Sequence, residues 1–146
     1  MHLIVYTSRS TSDENLIDDI LKDIVRTSKK KNKAREITGV LFYDNHRYLQ
    51  LIEGEKEQLL ILMDELYRDN RHTDINELIN EPVSEREFMD WNMDYFNINK
   101  NNELSEPLLE RFRDVYKNNV ILNSKGFVDF MKTMLAEPEL MRIMNH

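Results

Sequence analysis

The apolar residues of the first hundred positions alternate between strand-like runs and helix-like spacing in one particular order. Short runs rich in β-branched and aromatic residues predict five strands, at residues 3–7, 37–43, 48–53, 75–83 and 89–98. Between them, apolar residues recur at helical spacing from Leu16 to Val25 and from Leu59 to Tyr67. This βαββαββ order predicts an α+β fold, a ferredoxin-like mixed sheet with an added strand and two helices on one face.

Two further helical patterns follow the last predicted strand. They begin after Ser105 and after Ser124, and Pro138 is expected to stop the second one. Because two helices on one face leave the other face of the sheet open, we expect the two C-terminal helices to pack on that other face. The sequence thus predicts a domain over residues 1–98 and a helical extension of the same domain over residues 99–146.

Two polar segments mark boundaries in this plan. The basic run from Lys29 to Lys33 lies where the first helix is predicted to fray, since cations are favoured near a helix C-terminus. A polar linker from Asn97 to Glu103 separates the last predicted strand from the C-terminal helices.

Composition and charge exclude several classes of protein. The chain has 146 residues, enough for one domain, and its 20 basic and 27 acidic residues give a net charge of −7, which disfavours a general nucleic-acid binder. No apolar run approaches the ~20 residues that span a bilayer, and no positively charged segment precedes the first strand, so neither a membrane span nor a signal peptide is expected. The chain has no cysteine, which excludes disulfides and thiolate sites and favours a cytoplasmic location.

Familiar catalytic and metal-binding motifs are missing from the sequence. The four histidines lack metal-ligand spacing, so no metal site is expected, and the three glycines form no phosphate-binding loop. Hydrolase, kinase and dinucleotide-oxidoreductase functions therefore have no support in the sequence.

Four residues interrupt otherwise ordinary apolar or helical patterns. Gln50 lies inside the apolar run 49–52, and a buried amide left unpaired costs ~1–3 kcal/mol. Tyr6 lies in the first strand, Asn32 at the end of the first helix, and Gly39 inside the second strand, where a glycine can mark the close approach of a backbone or a ligand. Three of them have an ordinary explanation: a solvent-facing Gln50, a core Tyr6, and an Asn32 that ends a helix.

Trp91 and Met93 are two positions apart in the fifth predicted strand. In a regular strand such residues share one face of the sheet. A shared face of this kind is more often core than function.

The chain resembles the BLUF family of small blue-light sensors that bind flavin. The resemblance covers roughly the first hundred residues and depends on the order and spacing of several segments rather than on one motif. Its most specific segment is Leu49-Gln50-Leu51-Ile52-Glu53-Gly54. The others are residues 3–9, Asn32 followed by residues 37–43, residues 69–72 and residues 88–93.

The resemblance implies a role for each matching residue. Tyr6 matches the photoactive tyrosine, Gln50 matches the glutamine between that tyrosine and the flavin, and Asn32 matches the amide that binds the polar edge of the flavin ring. Asp69 and Arg71 match further polar positions near the flavin.

Ser28, Trp91 and Met93 match residues that contact the glutamine and change with light. Lys31 departs from the family pattern, in which a neutral polar residue or a histidine often precedes the asparagine. It either affects flavin affinity or reaches solvent. Residues 1–98 would therefore form the flavin-binding domain of a short, stand-alone member of the family.

The implied chemistry suits these residue types. Tyr6 can give up an electron and then a proton, and Gln50 can relay the proton and return in another orientation or tautomer. The flavin would regain its oxidation state with different hydrogen bonds, which shifts its absorption slightly to the red. The amide of Asn32 can both donate to and accept from the polar ring edge. No cysteine adduct is needed.

The resemblance favours a signalling photoreceptor without turnover of its own. It would bind FAD, or FMN or riboflavin in its place, and signal to a separate partner protein, with a homo-oligomer left open. A cofactor-free ferredoxin-like interaction module is the first alternative. A flavin enzyme is the second, and it has the weaker support because no residue set indicates a substrate pocket.

Overall fold

A mixed β-sheet lies between two layers of helices. The computed structural model describes residues 1–98, 104–117 and 123–145. In these residues the sheet has six strands in the order β4-β1-β3-β2-β5-β6, in which β2 and β5 are parallel and the other neighbours antiparallel. The strands are β1 (His2–Ser10), β2 (Thr38–Asp44), β3 (Arg47–Gly54), β4 (His72–Pro82), β5 (Asn92–Asn97) and β6 (Met144–Asn145).

The helices divide between the two faces of the sheet. A short 3₁₀ turn (Glu14–Leu16) leads into α1 (Ile17–Ala34), which with α2 (Lys56–Arg68) shares a core with one face. The helices α3 (Glu106–Lys117), α4 (Ser124–Leu135) and α5 (Pro138–Met141) share a separate core with the other face. This arrangement confirms the predicted α+β fold, with the C-terminal helices on the opposite face from α1 and α2.

Local backbone geometry explains the hairpin of β2 and β3. Asn45 and His46 both have positive φ, 46° and 66°, as a two-residue type I′ turn requires. Gly39 on β2 is needed because a Cβ there would lie 2.2 Å from the carbonyl oxygen of Leu51. The glycine thus marks the close approach of a backbone.

The first helix does not fray in the lysine run. It continues to Ala34, so Asn32 lies inside the helix rather than at its end. Lysine is a good helix former, and the Lys29 ammonium lies 3.6 Å from the Asp94 carboxylate on β5, which ties the last turns to the sheet.

Other boundaries also differ from the predictions. Strand β4 begins at His72, before the predicted start at residue 75, because its backbone pairs with Ser10 of β1. Pro138 ends α4 as expected but then begins α5, where its missing N–H costs nothing. The two-residue strand β6, which pairs with β5, was not predicted because no apolar pattern marks it in the sequence. Residues 99–103 of the predicted linker lie outside the described residues.

The expectation that Trp91 and Met93 share a face is wrong. Strand β5 begins only at Asn92, and the pairing of β2 with β5 skips Met93, because Gly39 pairs with Asn92 and Val40 with Asp94. Met93 forms a bulge with φ of 61°, and a bulge reverses the alternation of side chains. Met93 therefore joins the core beneath α1 and α2, whereas Trp91 packs against the core beneath the C-terminal helices.

Candidate functional site

A cleft opens between α1 and α2 above the middle of the sheet. It encloses about 450 Å³ of space when its open mouth is included. Its floor comes from β1, β2 and β3, and its walls come from the two helices and the segment after α2. The lining residues are Tyr6, Ile24, Ser28, Asn32, Leu41, Tyr48, Gln50, Leu62, Leu66, Asp69, Arg71 and His72.

A chain of buried side chains crosses the floor of the cleft. Tyr6 and Gln50 are directly paired on β1 and β3, so both side chains point to the same face. The Tyr6 hydroxyl donates to Gln50 Oε1, and Gln50 Nε2 donates to Met93 Sδ at 2.9 Å. The sequence alone did not say which way Gln50 points; the structure places it inside.

The electrostatic surroundings keep Tyr6 neutral. Burial raises its pKa far above the usual range, and the nearby Asp69 carboxylate and Tyr48 add to the shift. The Tyr6 proton therefore does not leave by simple dissociation at any physiological pH. It is held between the tyrosine oxygen and Gln50 Oε1.

Asn32 presents an unpaired amide to the cleft. It is 3% exposed, and among the residues that the structure describes neither Oδ1 nor Nδ2 has a hydrogen-bond partner. Such a buried amide destabilises a folded chain unless something else binds it. A planar ligand that carries both a donor and an acceptor on one edge would satisfy both atoms.

Asp69 and Arg71 form an ion pair at the side of the cleft. Arg71 Nε and Nη2 lie 2.9 and 2.6 Å from the two Asp69 oxygens, and Arg71 Nη1 reaches Asp23 on α1 at 3.3 Å. Burial raises the pKa of Asp69, but the hydrogen bonds from Arg71 outweigh it, so the net pKa lies below its usual range. The pair is thus charged near neutral pH and links α1 to the segment after α2.

Comparison with known proteins identifies the family. The family model BLUF, described as sensors of blue-light using FAD, matches residues 1–94. The chain belongs to the BLUF family. Its members sense blue light through flavin, and the cleft fits such a ring, because the unpaired amide of Asn32 faces into a space with apolar walls.

Three similar proteins illustrate the match. Photoactivated adenylate cyclase subunit beta of Euglena longa is 33% identical over 85 residues, 58% of this chain and 10% of the cyclase. The blue light- and temperature-regulated antirepressor BluF of Escherichia coli (strain K12) is 26% identical over 95 residues, 65% of this chain and 23% of its own. The dark state structure of BlrB, a BLUF protein, has a TM-score of 0.70 and 26% identity, covering 90% of this chain and 95% of its own. The chain spans only about a tenth of the length of the cyclase.

The remaining residues singled out through the BLUF resemblance divide into two groups. Ser28 lines the cleft from α1, one turn before Asn32. Lys31 is exposed and does not line the cleft, and Trp91 lies across the sheet from it. The structure therefore brings together all the predicted site residues except these last two.

His72 is a cleft residue that the sequence reasoning missed. Its Nδ1 lies 2.9 Å from Ser8 Oγ, and its Nε2 lies 2.7 Å from the Leu66 carbonyl oxygen. Because a carbonyl only accepts, Nε2 carries a proton, and in the neutral ring Nδ1 then accepts from the serine hydroxyl. A search for metal-ligand spacing passes over such a histidine, although it directly follows Arg71 in one of the BLUF-like segments.

No helix among residues 1–98, 104–117 and 123–145 is both long and apolar enough to cross a membrane.

Proposed function

We propose that this BLUF chain binds FAD, or FMN or riboflavin in its place, between α1 and α2 and signals blue light to a separate partner protein. The observation that carries the proposal is the hydrogen-bonded chain Tyr6–Gln50–Met93 beside the unpaired amide of Asn32. A cofactor-free module would need neither feature, and the unpaired buried amide would lower its free energy of unfolding.

Polar and apolar residues of the cleft have separate parts in binding. Asn32 would donate to and accept from the polar edge of the ring, and the nearby Asp69–Arg71 pair would hold that end of the cleft in place. Apolar side chains would contact the ring itself, since aromatic surfaces are driven into such sites by loss of water contact. These side chains are Ile24, Leu41, Leu62 and Leu66.

The switch would depend on Tyr6 and Gln50. The bound flavin supplies blue-light absorption and accepts one electron. Tyr6 gives up an electron, and its hydroxyl proton passes to Gln50 Oε1, the atom to which it already donates. Tyr6 would then regain the electron held by the flavin, and Gln50 would return a proton to the Tyr6 oxygen and be left in a different orientation or tautomer. Its bond to Met93 Sδ is easily exchanged, because a thioether is a weak acceptor.

Absorption spectroscopy tests the proposal directly. The protein purified from a flavin-replete host is expected to be yellow, with about one flavin per chain. Blue light should shift its absorption reversibly to the red without bleaching it. A flavin enzyme would instead reduce its flavin in the presence of a substrate. A folded protein that stays colourless with added FAD would rule out flavin binding.

Contacts across the sheet support an output through the C-terminal helices. Strand β5 carries Met93 on the cleft side, and its Phe96 stacks on Phe42 of β2 at 5.0 Å on the other side. Phe42 in turn contacts Phe112 of α3 at 4.8 Å. A shift of β5 would therefore reach α3 through Phe42. Relatives named as a cyclase and as an antirepressor support the view that one sensor fold can serve different outputs.

Hydrogen exchange measured in the dark and under blue light tests this output route. We expect light to change amide protection in β5, α3 and α4, by a factor of about ten for a coupling of ~1–2 kcal/mol. Met93→Ala should keep flavin binding but reduce the change in α3 and α4. Changes confined to the cleft residues would reject the route.

A further inference from the structure

Glu53 is a fully buried carboxylate that the cleft does not use. It lies near the end of β3, three residues after Gln50, and is 0% exposed. Its oxygens lie 3.0 and 3.1 Å from the Glu87 amide nitrogen, and Oε2 lies 3.0 Å from that of Phe88. One side chain of the sheet therefore accepts hydrogen bonds from two successive amides of residues 83–91, here called the β4–β5 loop.

A side chain of the loop itself, Arg86, donates hydrogen bonds in the other direction, to the sheet and to the segment just before β2. Its Nη1 donates to Thr38 Oγ1 at 2.8 Å and to the Glu53 carbonyl oxygen at 3.1 Å. Its Nη2 donates to the Glu36 carbonyl oxygen at 2.8 Å. Glu53 of the sheet and Arg86 of the loop thus both hold the loop to β2 and β3. Their hydrogen bonds together fix the course of the loop backbone.

The loop leads directly into the bulge at Met93. The Trp91 amide donates to the Phe88 carbonyl at 3.1 Å, and the Trp91 carbonyl accepts from the Gly39 amide at 2.8 Å. Two residues later Met93 adopts φ of 61°, a left-handed conformation that is unfavourable for a residue with a side chain. A backbone held on one side of such a residue helps to keep it there.

We propose that Glu53 is a positioning residue for the light switch: it holds the β4–β5 loop so that Met93 Sδ accepts from Gln50 in the dark. This inference rests on the proposed flavin switch. The groups that face the Glu53 carboxylate are the two loop amides, the Arg86 guanidinium and the Glu87 carboxylate, which is itself paired with Lys132 of α4.

The Glu53→Gln variant tests the proposal in the flavin-loaded protein. The amide keeps the shape of the side chain but turns one acceptor oxygen into a donor, which faces a backbone N–H. We expect the ε-methyl NMR signal of Met93 to move in the dark. We also expect recovery after blue light to change about fivefold, as the loss of one hydrogen bond would produce. Glu87→Gln is the matched control and should leave both unchanged, because it alters the same loop without removing an acceptor of its amides.

Combining the variant with Met93→Ala separates positioning from general stability. If Glu53 acts through Met93, Glu53→Gln has no further effect on recovery in the Met93→Ala protein. An equal effect in both backgrounds, or no effect in either, overturns the inference. A wild-type protein without a red shift would instead contradict the proposed function, and the Met93 signal would still report on Glu53.

A titration of the wild-type protein covers the case in which Glu53→Gln does not fold. Burial raises the pKa of Glu53 above its usual range, although the amides of Phe88 and Glu87 and the charge of Arg86 oppose this. Protonation removes one acceptor just as the variant does. The Met93 methyl signal should therefore shift at the same pH as the Glu53 carboxyl carbon. Different midpoints for the two signals would overturn the inference.

Discussion

Tyr6→Phe is expected to abolish the light-induced red shift while flavin stays bound. The substitution keeps the ring and its packing beneath α1 and α2 but removes the hydroxyl that donates to Gln50 Oε1. Without this group no proton can follow the electron, so Gln50 keeps its dark arrangement. Difference spectra before and after blue light measure the effect, and Gln50→Ala should give the same loss by removing the relay.

Tyr48→Phe provides a matched control for this prediction. Tyr48 is also buried and lines the same cleft, and burial raises its pKa as it does for Tyr6. Its hydroxyl has no hydrogen-bond partner among the described residues and so does not bond Gln50. The control should therefore keep its red shift. A normal photocycle in Tyr6→Phe would show that the tyrosine is not the electron and proton donor.

The layout of the fold could be predicted because each long element carries its own pattern. The stripe of apolar residues in α1 and the β-rich runs of β1, β2 and β3 are local properties of the sequence. Strand β6 could not be predicted, since two residues have no period and are held only by their pairing with β5. The bulge at Met93 escaped for a related reason: strict alternation assumes a regular strand, and the left-handed residue that breaks it is a methionine rather than a glycine.

The candidate site shows the same division. The BLUF resemblance named Tyr6, Gln50 and Asn32, and the structure brings all three to one cleft. What no pattern could indicate is which polar atoms are left over after folding. Glu53 belongs to the most specific BLUF-like segment, but the sequence alone indicates no role for it, and the structure shows that its oxygens accept hydrogen bonds from the β4–β5 loop. Asn32 looks like a helix terminator, yet its amide has no partner in the described part of the chain.

Because the amide of Asn32 is unpaired, we expect Asn32→Ala to lower flavin affinity but to raise the stability of the flavin-free protein. In Asn32→Ala the ring would lose a donor and an acceptor, so flavin affinity should fall about tenfold to a hundredfold. The flavin-free protein, in contrast, should gain about 1–2 kcal/mol in its free energy of unfolding. The variant no longer buries two unsatisfied atoms, and alanine is the better helix former. Flavin titration and denaturant unfolding measure the two effects separately.

Lys33→Ala serves as the control for Asn32→Ala. Lys33 is exposed on the next position of the same helix, so its replacement changes helix propensity and charge without touching the cleft. It should leave flavin affinity nearly unchanged. If Asn32→Ala instead lowered the stability of the flavin-free protein, the amide would have a structural role in the fold rather than a role in binding a ligand. The loss of a purely structural asparagine could not stabilise the flavin-free protein and also weaken flavin binding. A gain in the stability of the flavin-free protein together with weaker flavin binding is therefore the result that only a binding role explains.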